Sequence, residues 1–456
     1  MRSHVTPAKS TLMTEGSIAR HMIAFAIPLM LGHLFQQLYN TVDSLIVGNI
    51  LGKHALAAVS SSSSLLQLLI SLMMGVSMGA GVVISRHFGA NDEKGVSDAI
   101  HTAVGFAAIA GLTMTVVGVV LSPVLLQWMG TDPDVMPNSI VYFRNYFLGI
   151  SAVALYNIFM GIMNALGDSR RPLYYLLFSS ALNVVLDLLF VGVFRWGVGS
   201  AATATAISQA ASAILCYLHL RKPGTIYQLQ LRKIRLLPHE LREIVRVGLP
   251  TGIQNSVTAI ANVLVQSNIN SFGPDAMAAC GSYSKLQGFA FLPITAFAMA
   301  LTTFTSQNLG AKQYKRAREG ARFGLIGAAV LAEVIGVILT VFAPALIGLF
   351  NGDPEVVRIG VSQARIESLF FCLLAFSHAV SGICRGAGKA TVPMTVMLSV
   401  WCLLRIAYIT VAMSLRHDIR LLFWAYPITW FISSVIFFIY YKKSDWEHSF
   451  DRQLAH

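Results

Sequence analysis

Asp43, Asn183, Asp187 and Thr205 are oxygen-bearing side chains set in otherwise apolar stretches of the chain. Few carboxylates fall well inside such stretches; Glu333 and Glu367 are the other two. In a hydrocarbon setting such a group costs about 2.5–3.5 kcal/mol and is expected to face a cavity or a partner. Asn183 and Asp187 are spaced i,i+4 and share one helix face. Two carboxylates, an amide and a hydroxyl together would suit Na+, which is ligated by oxygen. A close carboxylate pair also suits a proton, because neutralising one of two adjacent like charges relieves their repulsion. Taken singly, Asn and Thr serve equally as glue between helices, and Asp43 also fits a helix end at headgroup level. Asp187 stands apart, with no Lys or Arg nearby in its stretch.

The elements that hold these residues are long and apolar. Of 456 residues 55% are hydrophobic and 12% charged, against about 25% charged in soluble domains. An ordinary soluble enzyme is excluded. Twelve spans are read, roughly 18–47, 54–84, 96–122, 138–166, 171–194 and 198–220, then 243–271, 276–307, 320–349, 358–386, 391–415 and 419–441, each enough to cross a ~30 Å hydrocarbon core. The N-terminal stretch is polar and lacks the features of a cleaved signal. Asp187 is then ~24 Å from the start of its span and Thr205 ~12 Å into the next, which runs the other way. Asp43 falls in the same half of the membrane. The five cysteines lie in apolar segments without metal-like spacing and read as core residues.

The chain repeats itself. GIMNALGDSRRP (161–172) and GICRGAGKATVP (382–393) share four residues of twelve at an offset of 221. The same offset pairs Gly89-Ala90 with Gly310-Ala311 and Asp132-Pro133 with Asp353-Pro354, and Pro28 matches Pro250 with one residue of slip. A duplicated membrane bundle is an arrangement typical of secondary transporters. The net charge of +12 would suggest nucleic acid in a soluble protein, but most Lys and Arg fall in the N-terminal tail, the even-numbered loops and the C-terminal tail. The positive-inside rule therefore places both termini in the cytoplasm and excludes a nucleic-acid partner as the reason for the charge. Six spans per repeat give both halves one orientation, related by a pseudo-twofold axis along the membrane normal. The expected organisation is an all-α integral membrane fold: lobe 1–221, cytoplasmic linker 222–241 and lobe 242–456.

In the second half, Glu367 is ~13 Å deep from one side and Arg405 ~21 Å in from the other. The depths agree, so the two are expected to pair as a structural bridge, since a lone arginine there would be costly. Arg365 and Arg405 read as the arginines deep in spans. His33, His101 and His378 are isolated and read as packed, not catalytic.

YNTVDSLIVGNILGKHALAAVS (39–60), SALNVVLDLLF (180–190) and GSAATATAISQ (199–209) resemble the multidrug and toxic compound extrusion (MATE) transporters. The resemblance extends from Ile18 to Tyr441. It implies that Asp43, Asn183, Asp187 and Thr205 form the first-lobe cation site of the DinF-like branch, with Pro28 as a kink-forming proline and Tyr39 as the tyrosine one turn before the aspartate. The NorM-like branch carries acidic ligands in helices seven and ten. Here TGIQNSVTAIANVLVQSNIN (251–270) holds no carboxylate, and helix ten is apolar around Ala375.

The expectation is a monomeric multi-pass antiporter of a prokaryotic plasma membrane. It exports small organic, often cationic, compounds through the bilayer in exchange for H+ or Na+ and needs no cofactor. A lipid-linked oligosaccharide flippase of the same superfamily would want an arginine-rich cavity. A membrane enzyme would want His, Asp or Cys clusters, and none appears. The kinked, duplicated design disfavours a passive channel.

Overall fold

The computed structural model describes residues 12–51 and 53–454. Twelve long helical rods follow in order: α1 Ile18–Leu51, α2 Lys53–Gly89, α3 Glu93–Trp128, α4 Met136–Ala165, α5 Arg170–Val193, α6 Gly199–Leu220, α7 Pro238–Asn270, α8 Pro274–Gly310, α9 Tyr314–Gly348, α10 Pro354–Gly386, α11 Thr391–Leu415 and α12 Ile419–Lys443. A short α13, Ser449–Leu454, follows. Among the described residues, eleven helices are long and apolar enough to cross a membrane. The twelfth rod, α7, falls short because Gln254, Asn255, Ser256, Asn262, Gln266 and Asn268 interrupt its apolar run. Apolar side chains face outward along α3, where Ile109, Leu112, Val116 and Val120 are all more than half exposed. A surface of that kind is made for lipid.

Three rods are irregular. In α5 the helix is regular to Asp187, then π-helical over Leu188–Val193. In α11 a π-helical stretch, Leu398–Leu404, ends just before Arg405. In α10 a 3-10 turn, Ser368–Phe370, separates Pro354–Glu367 from Phe371–Gly386. Glu333 of α9 accepts the Cys372 backbone N–H at 3.2 Å, so one N–H released by that break finds a carboxylate.

The repeat has a packing cause. A Cβ on Gly161 of α4 would collide with Ser77 of α2, and a Cβ on Gly382 of α10 would collide with the Ala298 carbonyl of α8. Ser77 and Ala298 are themselves one repeat apart. Gly167 and Gly388, also one repeat apart, take φ of 82° and 73° in the turns before α5 and α11, a conformation glycine adopts without cost. The motif shared by the two halves thus encodes one close helix crossing and one tight turn, each made twice.

The chain divides into two compact units, Leu31–Gly252 and Met13–Met30 with Ile253 onward. These differ from the boundaries expected at 221 and 242. Ile18–Met30 of α1 goes with the second unit, where Met22, Phe25 and Ala26 join its main core. The segment expected as a linker goes with the first unit. Leu229 is buried in that unit's core, Thr102 of α3 donates to the Arg235 carbonyl at 3.2 Å, and His101 accepts the Gln230 N–H at 3.0 Å. The start of α7 goes with it because Gly75 and Gly79 of α2 lie against Gly248 and Gly252, with no room for a Cβ at Gly75, Gly79 or Gly248. Pro28 and Pro250 each stand just before the point where α1 and α7 change unit.

Candidate functional site

In the first unit, α1, α5 and α6 bring the four expected residues together. Asp187 is fully buried and Asn183 is 1% exposed. The Asn183 amide is oriented by its neighbours. Its nitrogen donates to Asp187 Oδ2 at 2.7 Å and its oxygen accepts from the Thr205 backbone N–H at 3.1 Å. Thr205 Oγ1 donates to the Ala201 carbonyl at 3.2 Å and lies 3.4 Å from the Tyr39 hydroxyl. The side chains of Asp43 and Asp187 are within hydrogen-bonding reach of each other. Two carboxyl groups form such a bond only when one carries a proton. Asp43 Oδ1 and Asp187 Oδ1 are both sealed from solvent without a partner.

Two residues of this site are not apparent from sequence. Tyr142 of α4 stands within electrostatic reach of Asp43 and Asp187, and Tyr146 lies beside it with ring centroids 6.3 Å apart. Their i,i+4 spacing was visible, but an aromatic pair at helical spacing reads first as core. Tyr39 and Tyr142 bring hydroxyl-bearing rings to the carboxylates, and Tyr146 packs beside Tyr142. Asp187 also sits at the junction where α5 turns π-helical, a local irregularity that recurs at functional sites.

The second unit holds a polar cluster of different composition. Gln363, Glu367, Arg405 and Tyr426 are the repeat equivalents of Tyr142, Tyr146, Val184 and Thr205. Glu367 and Arg405 are 1% and 2% exposed, but the expected direct bridge between them is not formed. Glu367 accepts from Gln363 Nε2 at 2.9 Å and Gln287 Nε2 at 3.3 Å. Arg405 donates to Thr429 Oγ1 at 2.9 Å and lies 4.4 Å from the Tyr426 ring centroid. Each charge has found neutral partners, and only longer-range attraction links them. Arg365, expected deep, is exposed; Arg385, at the end of α10, is buried instead. His378 packs between Phe291 and Trp401.

Comparison with known proteins matches the family model MatE twice, over residues 28–189 and 250–411, once per half of the repeat. "Probable multidrug resistance protein YpnP" of Bacillus subtilis is 28% identical over 447 residues, covering 95% of this chain and 97% of its own. "Probable multidrug resistance protein NorM" of Thermotoga maritima is 26% identical, with 84% and 83% covered. The "FAD transporter" of Shewanella oneidensis is 23% identical, with 76% and 77% covered. Among solved structures, a MATE P26A mutant superposes with a TM-score of 0.89 at 22% identity, covering 95% of this chain and 98% of the other. An outward-facing multidrug resistance MATE transporter gives 0.88 at 23%, covering 95% and 97%.

Proposed function

The chain belongs to the MATE family of membrane transporters, and on that premise we propose that it exports small organic compounds in exchange for protons carried by Asp43 and Asp187. The observation that carries the proton reading is the carboxyl pair within hydrogen-bonding reach across α1 and α5. With the proton present, one charge is removed and the pair is cohesive. Without it, two carboxylates face each other in a site that excludes water, and repulsion favours their separation. Asp43 lies on α1, which contains Pro28. Proline removes one helical hydrogen bond and crowds the carbonyl four residues back, so α1 yields there when the pair is pushed apart. A membrane potential of 100 mV supplies about 2.3 kcal/mol for each charge that crosses it.

Na+ at Asp43, Asn183, Asp187 and Thr205 is the less favoured coupling ion. Asn183 turns its nitrogen, not its oxygen, toward Asp187, and a hard cation needs converging oxygens. A lipid-linked oligosaccharide flippase is not favoured either, given relatives named for multidrug resistance and export and the Arg405 side chain bound to Thr429. The lack of a carboxylate over residues 251–270 of α7 supports placement in the DinF-like branch. Basic loops support cytoplasmic chain ends, and the bacterial relatives support a prokaryotic plasma membrane.

Asp43→Asn and Asp187→Asn test the reading. Each keeps the shape and removes the exchangeable proton. Both variants should reach the membrane at wild-type levels and lose export driven by an ion gradient. Wild-type efflux from either, at matched expression, would overturn it.

A further inference from the structure

On the second unit, α9 carries a stripe at i,i+4 spacing: Arg318, Arg322, Ile326, Val330 and Val334. Its apolar part is an open slot of about 420 Å³ lined by Phe323, Ile326, Gly327, Val330, Leu331 and Val334. Ile326, Val330 and Val334 are each more than half exposed. Gly327 has no side chain of its own in the slot, and a Cβ there would only reach van der Waals contact with the Phe297 ring at 3.6 Å. At Ile326 the slot meets a second hollow of about 680 Å³, whose walls include Arg322, Lys442, Tyr441 and Trp446.

The charge in this second hollow is unbalanced. Arg318 is held by Glu447 through bonds of 2.8 and 2.5 Å. Arg322 and Lys442 are exposed and have no ion pair among the described residues. Tyr441 and Trp446 stack at 5.7 Å beside them, the aromatic pairing usual at headgroup level. From Arg322 to Val334 the helix rises about 18 Å, close to half of a ~30 Å hydrocarbon core.

We infer that this joined hollow is a binding site for an anionic phospholipid, with its phosphate on Arg322 and Lys442 and one acyl chain along the α9 slot past Gly327. A guanidinium fork and an ammonium match a phosphate diester. An outward-facing apolar slot within a membrane span meets an acyl chain, not water. The basic end of the slot gives preference for an anionic headgroup over a zwitterionic one.

The test uses the full chain in mixed micelles, titrated with phosphatidylglycerol or phosphatidylcholine, with bound lipid read by native mass spectrometry. Phosphatidylglycerol should be retained in preference, and Arg322→Gln or Lys442→Gln should each weaken retention about five-fold. Gly327→Leu, which fills the slot and leaves every charge in place, should also abolish the preference while the protein melts normally. Equal retention of the two lipids would overturn the inference, as would charge variants that bind like wild type. Full retention in Gly327→Leu, or displacement by millimolar inorganic phosphate, would show an anion site without a lipid chain and overturn it too.

Discussion

At the scale of single residues, the site depends on which polar groups are paired and which are not. Asp187 has one oxygen bound to Asn183 and one without a partner. Asn183→Ala would remove the donor that fixes Asp187 and should slow export while leaving ion dependence intact, measurable as a reduced maximal efflux rate. In the second unit, Glu367 and Arg405 each have neutral hydrogen-bond partners. Arg405→Met and Glu367→Gln should therefore lower thermal stability nearly additively, with a coupling below about 1 kcal/mol in a double-mutant cycle. A coupling of several kcal/mol would indicate a direct pair. Sequence depth arithmetic placed these two at one height but carries no information about direction around the helix axis. For Asp187 and Thr205 the same arithmetic gave one half of the membrane, and the i,i+4 partner Asn183 touches both in the structure. Tyr142 and Tyr146 escaped notice because nothing in an aromatic pair distinguishes a site wall from packing.

At the scale of elements, the repeat was legible because close crossings and tight turns demand glycine whatever the solvent. Gly161→Leu and Gly382→Leu should each push two helices apart, with a stability loss of about 1–3 kcal/mol or failure to accumulate. Wild-type thermal stability in both would show that the crossings are loose. The unit to which each end of α1 and α7 belongs was not legible, since hydropathy does not record which neighbour a helix packs against. Pro28 lies close to that changeover. Pro28→Ala should blunt the pH-dependent change in labelling near Tyr39. Outside the spans, Asp92 caps α3 through the Gly95 N–H at 3.0 Å. Burial alone would raise its carboxyl, but that N–H and His87 together hold it below the ordinary value. Its stabilising effect is then present above the unfolded-chain value near 4 and lost as pH falls through the lower folded value. Asp92→Ala should cost about 0.5–2 kcal/mol at neutral pH, and the difference in melting from wild type should shrink in acid.

At the scale of the whole molecule, two copies of one bundle have diverged in their polar centres. The polar centre of the first unit holds two carboxylates, Asp43 and Asp187, with no ion pair among the described residues; the second holds one carboxylate and one arginine, each satisfied locally. That asymmetry supports the proposal that the exchangeable proton is held in the first unit, with the polar centre of the second unit a structural one. The direct test is efflux from proteoliposomes in which a pH gradient and a Na+ gradient are imposed separately, on wild type and on Asp187→Asn. The pH gradient alone should drive export in wild type, Na+ at equal pH should not, and Asp187→Asn should respond to neither. Export driven by Na+ at equal pH, or pH-driven export that survives in Asp187→Asn, would contradict proton coupling at this pair.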